Sequence, residues 1–267
     1  MSTLDDIPEI LTATLDDGAV GQITLNRPAR HNALTLAMWE QVAASVREFG
    51  ARPETRVILI RGAGERAFAS GADLHEMATH RETSEGAAAY HAAVEDAFAA
   101  LAAVEQPVIA MIHGYCIGGG CELAVACDLR IADDQARFGI PAAKLGIVLG
   151  VDELRRLSNL VGLAGAKEIL FTGRQFDAVE ALSMGLINRV VAADSLEATV
   201  LEEARQIIGN APVAVGAAKA LLDAIGREEP AAEVVALQRE LVERAGRSGE
   251  SRERIAAFVN RRPRSNS

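Results

Sequence analysis

The sequence predicts an α/β fold with a mainly parallel sheet and a helical C-terminal end. Short apolar runs bounded by turn residues are typical of buried strands. Four such runs lie in the first half of the chain, at residues 20–25, 57–60, 108–112 and 129–132. Helical patterns lie between them, and strands that alternate with helices indicate a mainly parallel arrangement. After Val191 the pattern is helical only.

The helices between the strands have recognisable ends. Thr35 is a candidate N-cap for a helix that continues through Val46, and a second helix is predicted over residues 87–104, before Pro107. The polar segment 77–88 is compatible with a mobile flap over a ligand and with a plain surface loop.

The pattern divides the chain into an α/β core, residues 1–192, and a helical region, residues 193–267. Asp177 and Glu180, just before the division, resemble a capping box. Beyond it, breaks near residues 210–212, 229–230 and 246–249 separate successive helices.

Composition narrows the function classes. A chain of 267 residues can bury a substantial core, and its net charge of −10 argues against nonspecific binding of nucleic acid. No apolar run reaches the ~20 residues that cross a bilayer, and the start lacks the pattern of a secretion signal. These observations predict a cytoplasmic protein without membrane contact.

The cysteines Cys116, Cys121 and Cys127 form no CxxC motif, so we expect them to pack as small apolar residues.

A glycine cluster carries the first sign of chemistry. An apolar run ends at Gly118, Gly119 and Gly120, and a helical run follows with Glu122 in its first turn. Backbone N–H groups at a helix start have no intrahelical partner, and glycines allow a ligand to approach them. Such a turn can hold an oxyanion beside a proton-transfer group. The alternative is that the glycines only pack a tight strand–helix joint.

A second loop favours the oxyanion interpretation. The strand at residues 57–61 is followed by a glycine-rich segment that ends in Ser70, Gly71 and Ala72. Two loops that each direct one N–H at the same point provide what acyl chemistry needs when negative charge develops on a carbonyl oxygen.

The motifs around these loops resemble a known family. AFASGADL at residues 67–74 and HGYCIGGGCELAVACDLRIA at residues 113–132 are similar to motifs of the enoyl-CoA hydratase/isomerase (crotonase) superfamily. LNRPARHNAL, FGIPAAKLGI, the segment 160–191 and IAAFVNRR follow the family's order, so the resemblance covers about residues 11–262.

The resemblance implies both an architecture and a site. It implies a crotonase-like spiral of ββα units with a C-terminal helical trimerisation region, in a homotrimer or homohexamer. The substrate would be an acyl-CoA or enoyl-CoA thioester, with no metal or redox cofactor. The N–H groups of Ala72 and Gly119 would form the oxyanion hole, and Glu122 would be the first of the two glutamates that family hydratases use.

The second glutamate is missing, because Ala142 stands at its position. Asp152 and Glu153 follow where the family often has glycines, and Asp152 is therefore a candidate catalytic base or nucleophile. The alternative is that Asp152 caps the following helix, with Glu153 favoured in its first turn.

Candidate substrate-binding residues come from the same motifs and from side chains that could contact the CoA phosphates. They are Arg27, Arg30, Ala69, Asp73, Leu74, His75, Gly118 and Phe258, with Arg66, Arg261 and Arg262 as further sources of positive charge. The alternative for each arginine is a solvated face or a surface ion pair.

The sequence therefore predicts hydration of a 2-enoyl-CoA to a 3-hydroxyacyl-CoA through an oxyanion-stabilised enolate. Ala142 keeps two alternatives open, an enoyl-CoA double-bond isomerase and a noncatalytic acyl-CoA-binding protein.

Overall fold

A computed structural model describes residues 8–259, and its largest element is a six-stranded sheet. The strand order is β1-β2-β3-β5-β7-β10. These strands span Ile10–Leu15, Val20–Leu25, Val57–Gly62, Val108–Ile112, Leu129–Asp133 and Arg189–Val191. All neighbours pair in parallel except β1 and β2. The mainly parallel sheet predicted from the sequence is confirmed.

A second sheet has four short strands in the order β4-β6-β8-β9. They span Ala67–Ala69, Tyr115–Ile117, Arg137–Gly139 and Phe176–Asp177. β3, β5 and β7 of the large sheet are each followed by one strand of the small sheet and then by a helix. This repetition is the predicted spiral of ββα units.

The helices cover both sheets and the C-terminal region. They are α1 Leu36–Gly50, α2 Leu74–His80, α3 Ser84–Ala103, α4 Gly119–Ala126, α5 Ala142–Leu145, α6 Val151–Thr172, α7 Ala178–Ser183, α8 Leu196–Ile208, α9 Pro212–Gly226, α10 Ala231–Ser248 and α11 Glu250–Val259.

Helix ends follow the predicted caps. The Thr35 side chain accepts a hydrogen bond from the Met38 N–H at 3.1 Å, and Asp177 accepts one from the Glu180 N–H at 2.9 Å. Segment 77–88 differs from the prediction of a flap or loop, because α2 and α3 occupy most of it. The Thr83 hydroxyl accepts a hydrogen bond from the Gly86 N–H at 3.0 Å, so part of the polar character is a helix cap.

Both faces of the large sheet are buried. On one face, Ile58 and Ile60 pack in a cluster that includes Trp39 and Phe98 from the helices. On the other, Val57 and Leu59 belong to a cluster that includes Leu196, Val200 and Ala204 of α8. Burial on both faces explains the continuous apolar runs, since a parallel sheet has no solvated face.

A buried lysine joins the terminal helices to the core. The Lys219 ammonium, on α9, donates hydrogen bonds to the carboxylate of Asp128 at 2.8 Å, the Leu101 carbonyl at 3.0 Å and the Gln106 carbonyl at 3.1 Å. The Asp128 carboxylate also accepts from the Val108 N–H at 2.6 Å. This cluster ties α9 to the end of α3 and the start of β5.

The cysteines, the possible membrane spans and the terminal residues were also subjects of prediction. The three cysteine side chains are buried, as expected. Between residues 8 and 259, no single helix has the length and apolar character of a membrane span, but Ala193–Ile208 and Pro212–Gly226, bent by 105°, pass that test as a pair. Arg261 and Arg262 lie outside the described residues, and the division at residues 192 and 193 stays a prediction.

Candidate active site

The two glycine-rich loops meet at Gly71. Its φ of +110° suits glycine, and a Cβ atom placed there would lie 3.1 Å from the Ile117 carbonyl oxygen and 3.6 Å from the Gly119 nitrogen. The loop after β4 and the loop after β6 can therefore approach this closely only without a side chain between them.

Two backbone N–H groups line the junction. Leu34 donates to the Gly71 carbonyl at 2.8 Å and accepts from the Asp73 N–H at 2.8 Å. These bonds use the residues on either side of Ala72, so the N–H of Ala72 lies on the other side of the chain. Gly119 is the first residue of α4, where an N–H has no intrahelical acceptor. A Cβ placed on Gly119 would be 3.6 Å from the Ala72 nitrogen.

The junction opens into a cavity of about 380 Å³. Its walls are mostly apolar, and the larger apolar and aromatic side chains include Trp39, Leu74, Met77, Tyr90, Val94, Ile117, Ile140, Ile147 and Leu149. The Trp39 indole N–H donates a hydrogen bond to the Tyr90 hydroxyl at 3.2 Å, which fixes part of the wall. An apolar pocket with a few convergent polar groups is typical of a small-molecule site.

Glu122 places a carboxyl group on this cavity. Its N–H donates a hydrogen bond to the Gly118 carbonyl at 2.9 Å, which fixes Glu122 in the first turn of α4. Glu122 lines the same cavity as Ala72 and Gly119. Burial, followed by the negative charge of Glu153, raises the pKa of Glu122 to about 8. The carboxyl group is therefore mostly protonated at neutral pH.

Glu153 is a second acid on the same cavity. Glu153 is the third residue of α6, and Gly150 is the N-cap residue of that helix. The Oε2 atom of Glu153 accepts a hydrogen bond from the Gly150 N–H. This is the capping-box bond in which the side chain of the third helical residue accepts from the backbone N–H of the N-cap residue. Glu122 and Glu153 also line the narrow space behind the cavity, beside Leu157.

Comparison with known proteins decides the family. A sequence profile described as enoyl-CoA hydratase/isomerase matches residues 16–266 of this chain. The chain belongs to the enoyl-CoA hydratase/isomerase family. It is 41% identical to a short-chain-enoyl-CoA hydratase of Clostridium acetobutylicum over 203 residues, which are 76% of this chain and 77% of that protein.

Two further relatives match a larger share of this chain. A probable enoyl-CoA hydratase of Mycobacterium leprae is 39% identical over 246 residues, which are 91% of this chain and 92% of that protein. The crystal structure of an enoyl-CoA hydratase/carnithine racemase from Magnetospirillum magneticum superposes with a TM-score of 0.89 at 37% identity, covering 96% of this chain and 94% of that chain. The resemblance seen in the sequence is confirmed.

Asp152 does not take the position expected of a catalytic residue in this family member. Its side chain is 72% exposed and forms an ion pair with Arg155 at 2.7 Å. Because consecutive helical side chains point in different directions, Glu153 faces the cavity while Asp152 faces solvent. Gly150, not Asp152, is the N-cap. Both interpretations of Asp152 are thus corrected.

Ala142 lies on the cavity at the start of α5 and is buried. The methyl group occupies the place at which the family motif has its second glutamate, so this position supplies no acid or base. Glu153 reaches the same cavity from α6.

Some predicted substrate-binding residues do line the cavity, namely Leu74 and Gly118. Ala69 is fully buried in β4, and a Cβ placed on Gly120 would lie 2.7 Å from its methyl carbon. Ala69 therefore packs β4 against α4. The side chain offers no surface to a substrate, and that prediction is corrected.

Arg27 and Asp73 do not line the cavity, and they support the loop that carries Ala72. Their side chains form an ion pair at 2.9 Å, and Arg27 also pairs with Glu9 at 2.8 Å. Asp73 caps α2 by accepting from the His75 N–H at 3.2 Å. Both side chains thus have a structural role next to Ala72, and their predicted contact with the substrate stays a prediction.

Arg30, Arg66, His75 and Phe258 are exposed and do not line the cavity. Phe258 lies on α11 with 77% of its surface exposed. Their predicted contacts with CoA stay predictions.

Helix α3 forms one wall of the cavity, which the sequence motifs do not predict. Ala87, Tyr90, His91 and Val94 of α3 all line the cavity. Their spacing of i, i+3, i+4 and i+7 is the signature of one helix face. That periodicity was a usable signal, although it does not reveal which cavity the face meets.

The backbone donor at Gly119 can be tested with a matched pair of variants. Gly119→Pro removes the N–H at the first helical position, where proline is tolerated. We expect kcat to fall by about 10²–10³, the effect of losing one oxyanion donor. Gly119→Ala is the control, because it adds a similar Cβ near Trp39, 3.3 Å away, but keeps the N–H. Equal kcat values for the two variants, measured on an enoyl-CoA thioester, would contradict the assignment.

Proposed function

We propose that this protein adds water across the double bond of a 2-enoyl-CoA to form a 3-hydroxyacyl-CoA. The observation that carries the proposal is the position of Glu122 on an apolar cavity beside the N–H groups of Ala72 and Gly119. The hydratase names of relatives at about 40% identity support the same reaction. Incubation with crotonyl-CoA, with product identification by mass, tests it.

The geometry suits the charge changes of this reaction. When oxygen adds to C3 of the enoyl group, electron density moves to the thioester oxygen and an enolate forms. The N–H groups of Ala72 and Gly119 stabilise that oxygen. Glu122, mostly protonated at neutral pH, then donates its proton to C2. The remaining requirement is a base for the attacking water.

The proposed substrate has an apolar acyl group that fits a cavity of about 380 Å³. Water addition changes no oxidation state of the substrate overall, and backbone N–H groups can stabilise the enolate. We therefore propose that the reaction requires no metal or redox cofactor.

Double-bond isomerisation is the second candidate function. Ala142 favours it, because moving a double bond requires a proton shuttle but no activated water. An isomerase would convert a 3-enoyl-CoA to a product of unchanged mass, whereas a hydratase adds the mass of water. A noncatalytic binder would show neither reaction, but it would have no use for the protonated carboxyl group of Glu122.

The pH dependence follows from the proton on Glu122. Its pKa of about 8 lies above the ordinary 4.5, so the protonated form that donates to C2 is lost as the pH rises through about 8. We expect kcat/KM to fall across that range, since this ratio reports the ionisation of the free enzyme. A value of kcat/KM that rises through pH 8 would show that Glu122 acts as a base.

We also propose a homotrimer or homohexamer, in keeping with the family resemblance. Large apolar side chains on the helices support it because they are exposed in the single chain: Leu163, Phe171, Leu222, Ile225 and Val242. Light scattering that gave the 28.2 kDa mass of one chain would contradict this proposal. The cytoplasmic location stays a prediction.

A further inference from the structure

We propose that Glu153 is the second catalytic carboxylate of this enzyme and that it activates the attacking water in place of the glutamate missing at Ala142. The inference rests on the proposed hydratase function. It assigns to α6 a role that the sequence motif would place on α5.

Glu153 and Glu122 line the same cavity, and both also line the narrow space behind it. Ala142 lies on that cavity as well. A carboxylate can therefore reach the cavity from α6 while the side chain at position 142 ends at a methyl group.

The Gly150 N–H holds Oε2 of Glu153, and a carboxylate held by one oxygen keeps its second oxygen available as an acceptor. Among residues 8–259, no hydrogen-bond partner is found for that second oxygen, Oε1. The capping bond thus fixes the side chain through Oε2 and leaves Oε1 available to accept a proton from water.

The negative charge of Glu153 is the second cause, after burial, of the raised pKa of Glu122. A neighbouring negative charge favours the protonated form of a carboxyl group, so the buried Glu122 keeps its proton beside the Glu153 side chain. One general acid and one general base are then present together.

The chemical step balances with these two groups. Water loses one proton to Glu153 while its oxygen forms a bond to C3, and the electron pair of the C2–C3 π bond moves to give the enolate. The enolate then collapses as C2 takes the proton of Glu122. Glu153 ends protonated and Glu122 ionised, and transfer of one proton from Glu153 to Glu122 restores the starting state.

Glu153→Gln tests this role with little effect on the fold. Glutamine also completes a capping box, so the bond to Gly150 can persist. We expect kcat on crotonyl-CoA to fall by about 10²–10⁴, the usual effect of losing a positioned acid or base, with KM changed much less. Asp152→Asn is the matched control, since that neighbour faces solvent, and we expect its kcat to stay within about twofold of wild type.

A second readout separates catalysis from structure. Removing the negative charge of Glu153 should lower the pKa of Glu122, so the alkaline loss of kcat/KM should move to lower pH in Glu153→Gln. Glu153→Asp keeps the charge but shortens the side chain, and we expect it to lose activity without that pH shift. Ala142→Glu combined with Glu153→Gln should recover at least tenfold of the lost kcat.

The outcomes distinguish this inference from the function on which it rests. If wild type hydrates crotonyl-CoA and Glu153→Gln keeps wild-type kcat and pH profile, the role of Glu153 is overturned and the hydratase proposal stands. If wild type hydrates no enoyl-CoA tested, the hydratase proposal itself fails. A thermal melt of each variant shows whether the activities compare folded proteins.

Discussion

Replacement of Glu122 by glutamine is expected to lower kcat by about 10²–10⁴ while acyl-CoA binding remains close to wild type. Glutamine has nearly the same size but cannot donate the proton that C2 requires. The oxyanion donors of Ala72 and Gly119 belong to the backbone, so they remain. The expected signature is therefore a fall in kcat with a nearly unchanged Kd, measured by steady-state kinetics and by calorimetry with a saturated acyl-CoA.

A matched control for this variant is Glu240→Gln, the same chemical change at an exposed position of α10. Its kcat should equal that of wild type. Full turnover by Glu122→Gln would remove Glu122 from the chemistry. Loss of binding together with turnover would instead indicate that the buried carboxyl group shapes the cavity.

Replacement of Lys219 by methionine should cause a large loss of stability. Methionine has a similar length but removes the ammonium that donates to the Asp128 carboxylate and to the carbonyls of Leu101 and Gln106. Removing one partner of a buried ion pair typically costs about 3–5 kcal/mol of unfolding free energy. Asp128 is 26% exposed, so we expect the lower end, about 3 kcal/mol.

Denaturant unfolding of Lys219→Met against Lys167→Met measures this effect. Lys167 lies on the exposed side of α6, and its replacement should change the unfolding free energy by less than about 0.5 kcal/mol. Equal stability of the two variants would show that the cluster around Asp128 does not hold α9 on the core.

The parts of the fold that the sequence predicts well are those with a local signal. Val20–Leu25 and Val108–Ile112 match their predicted bounds because buried parallel strands are short continuous apolar runs. The Thr35 and Asp177 caps are equally local. The second sheet has strands of two or three residues, which are too short to produce a periodic pattern.

In the candidate active site, too, the sequence predicts only the features that have a local signal. The loops that carry Ala72 and Gly119 are continuous motifs, so sequence identifies them directly. The choice between Asp152 and Glu153 depends on where α6 begins, because a shift of one residue rotates the side chains by about 100°. Gly150 as the N-cap and its bond to Glu153 set that rotation. Neither is readable from a run of adjacent acids.

The most direct test of the central proposal is incubation of the purified protein with crotonyl-CoA, with loss of the conjugated enoyl absorbance followed over time and the product identified by mass. Hydratase activity predicts rapid loss of absorbance and a product heavier than the substrate by one water. Unchanged absorbance and mass, in a sample that binds crotonyl-CoA measurably, would contradict hydration of this substrate. Repeating the incubation with longer 2-enoyl-CoA thioesters, with the same result, would contradict the hydratase proposal as a whole.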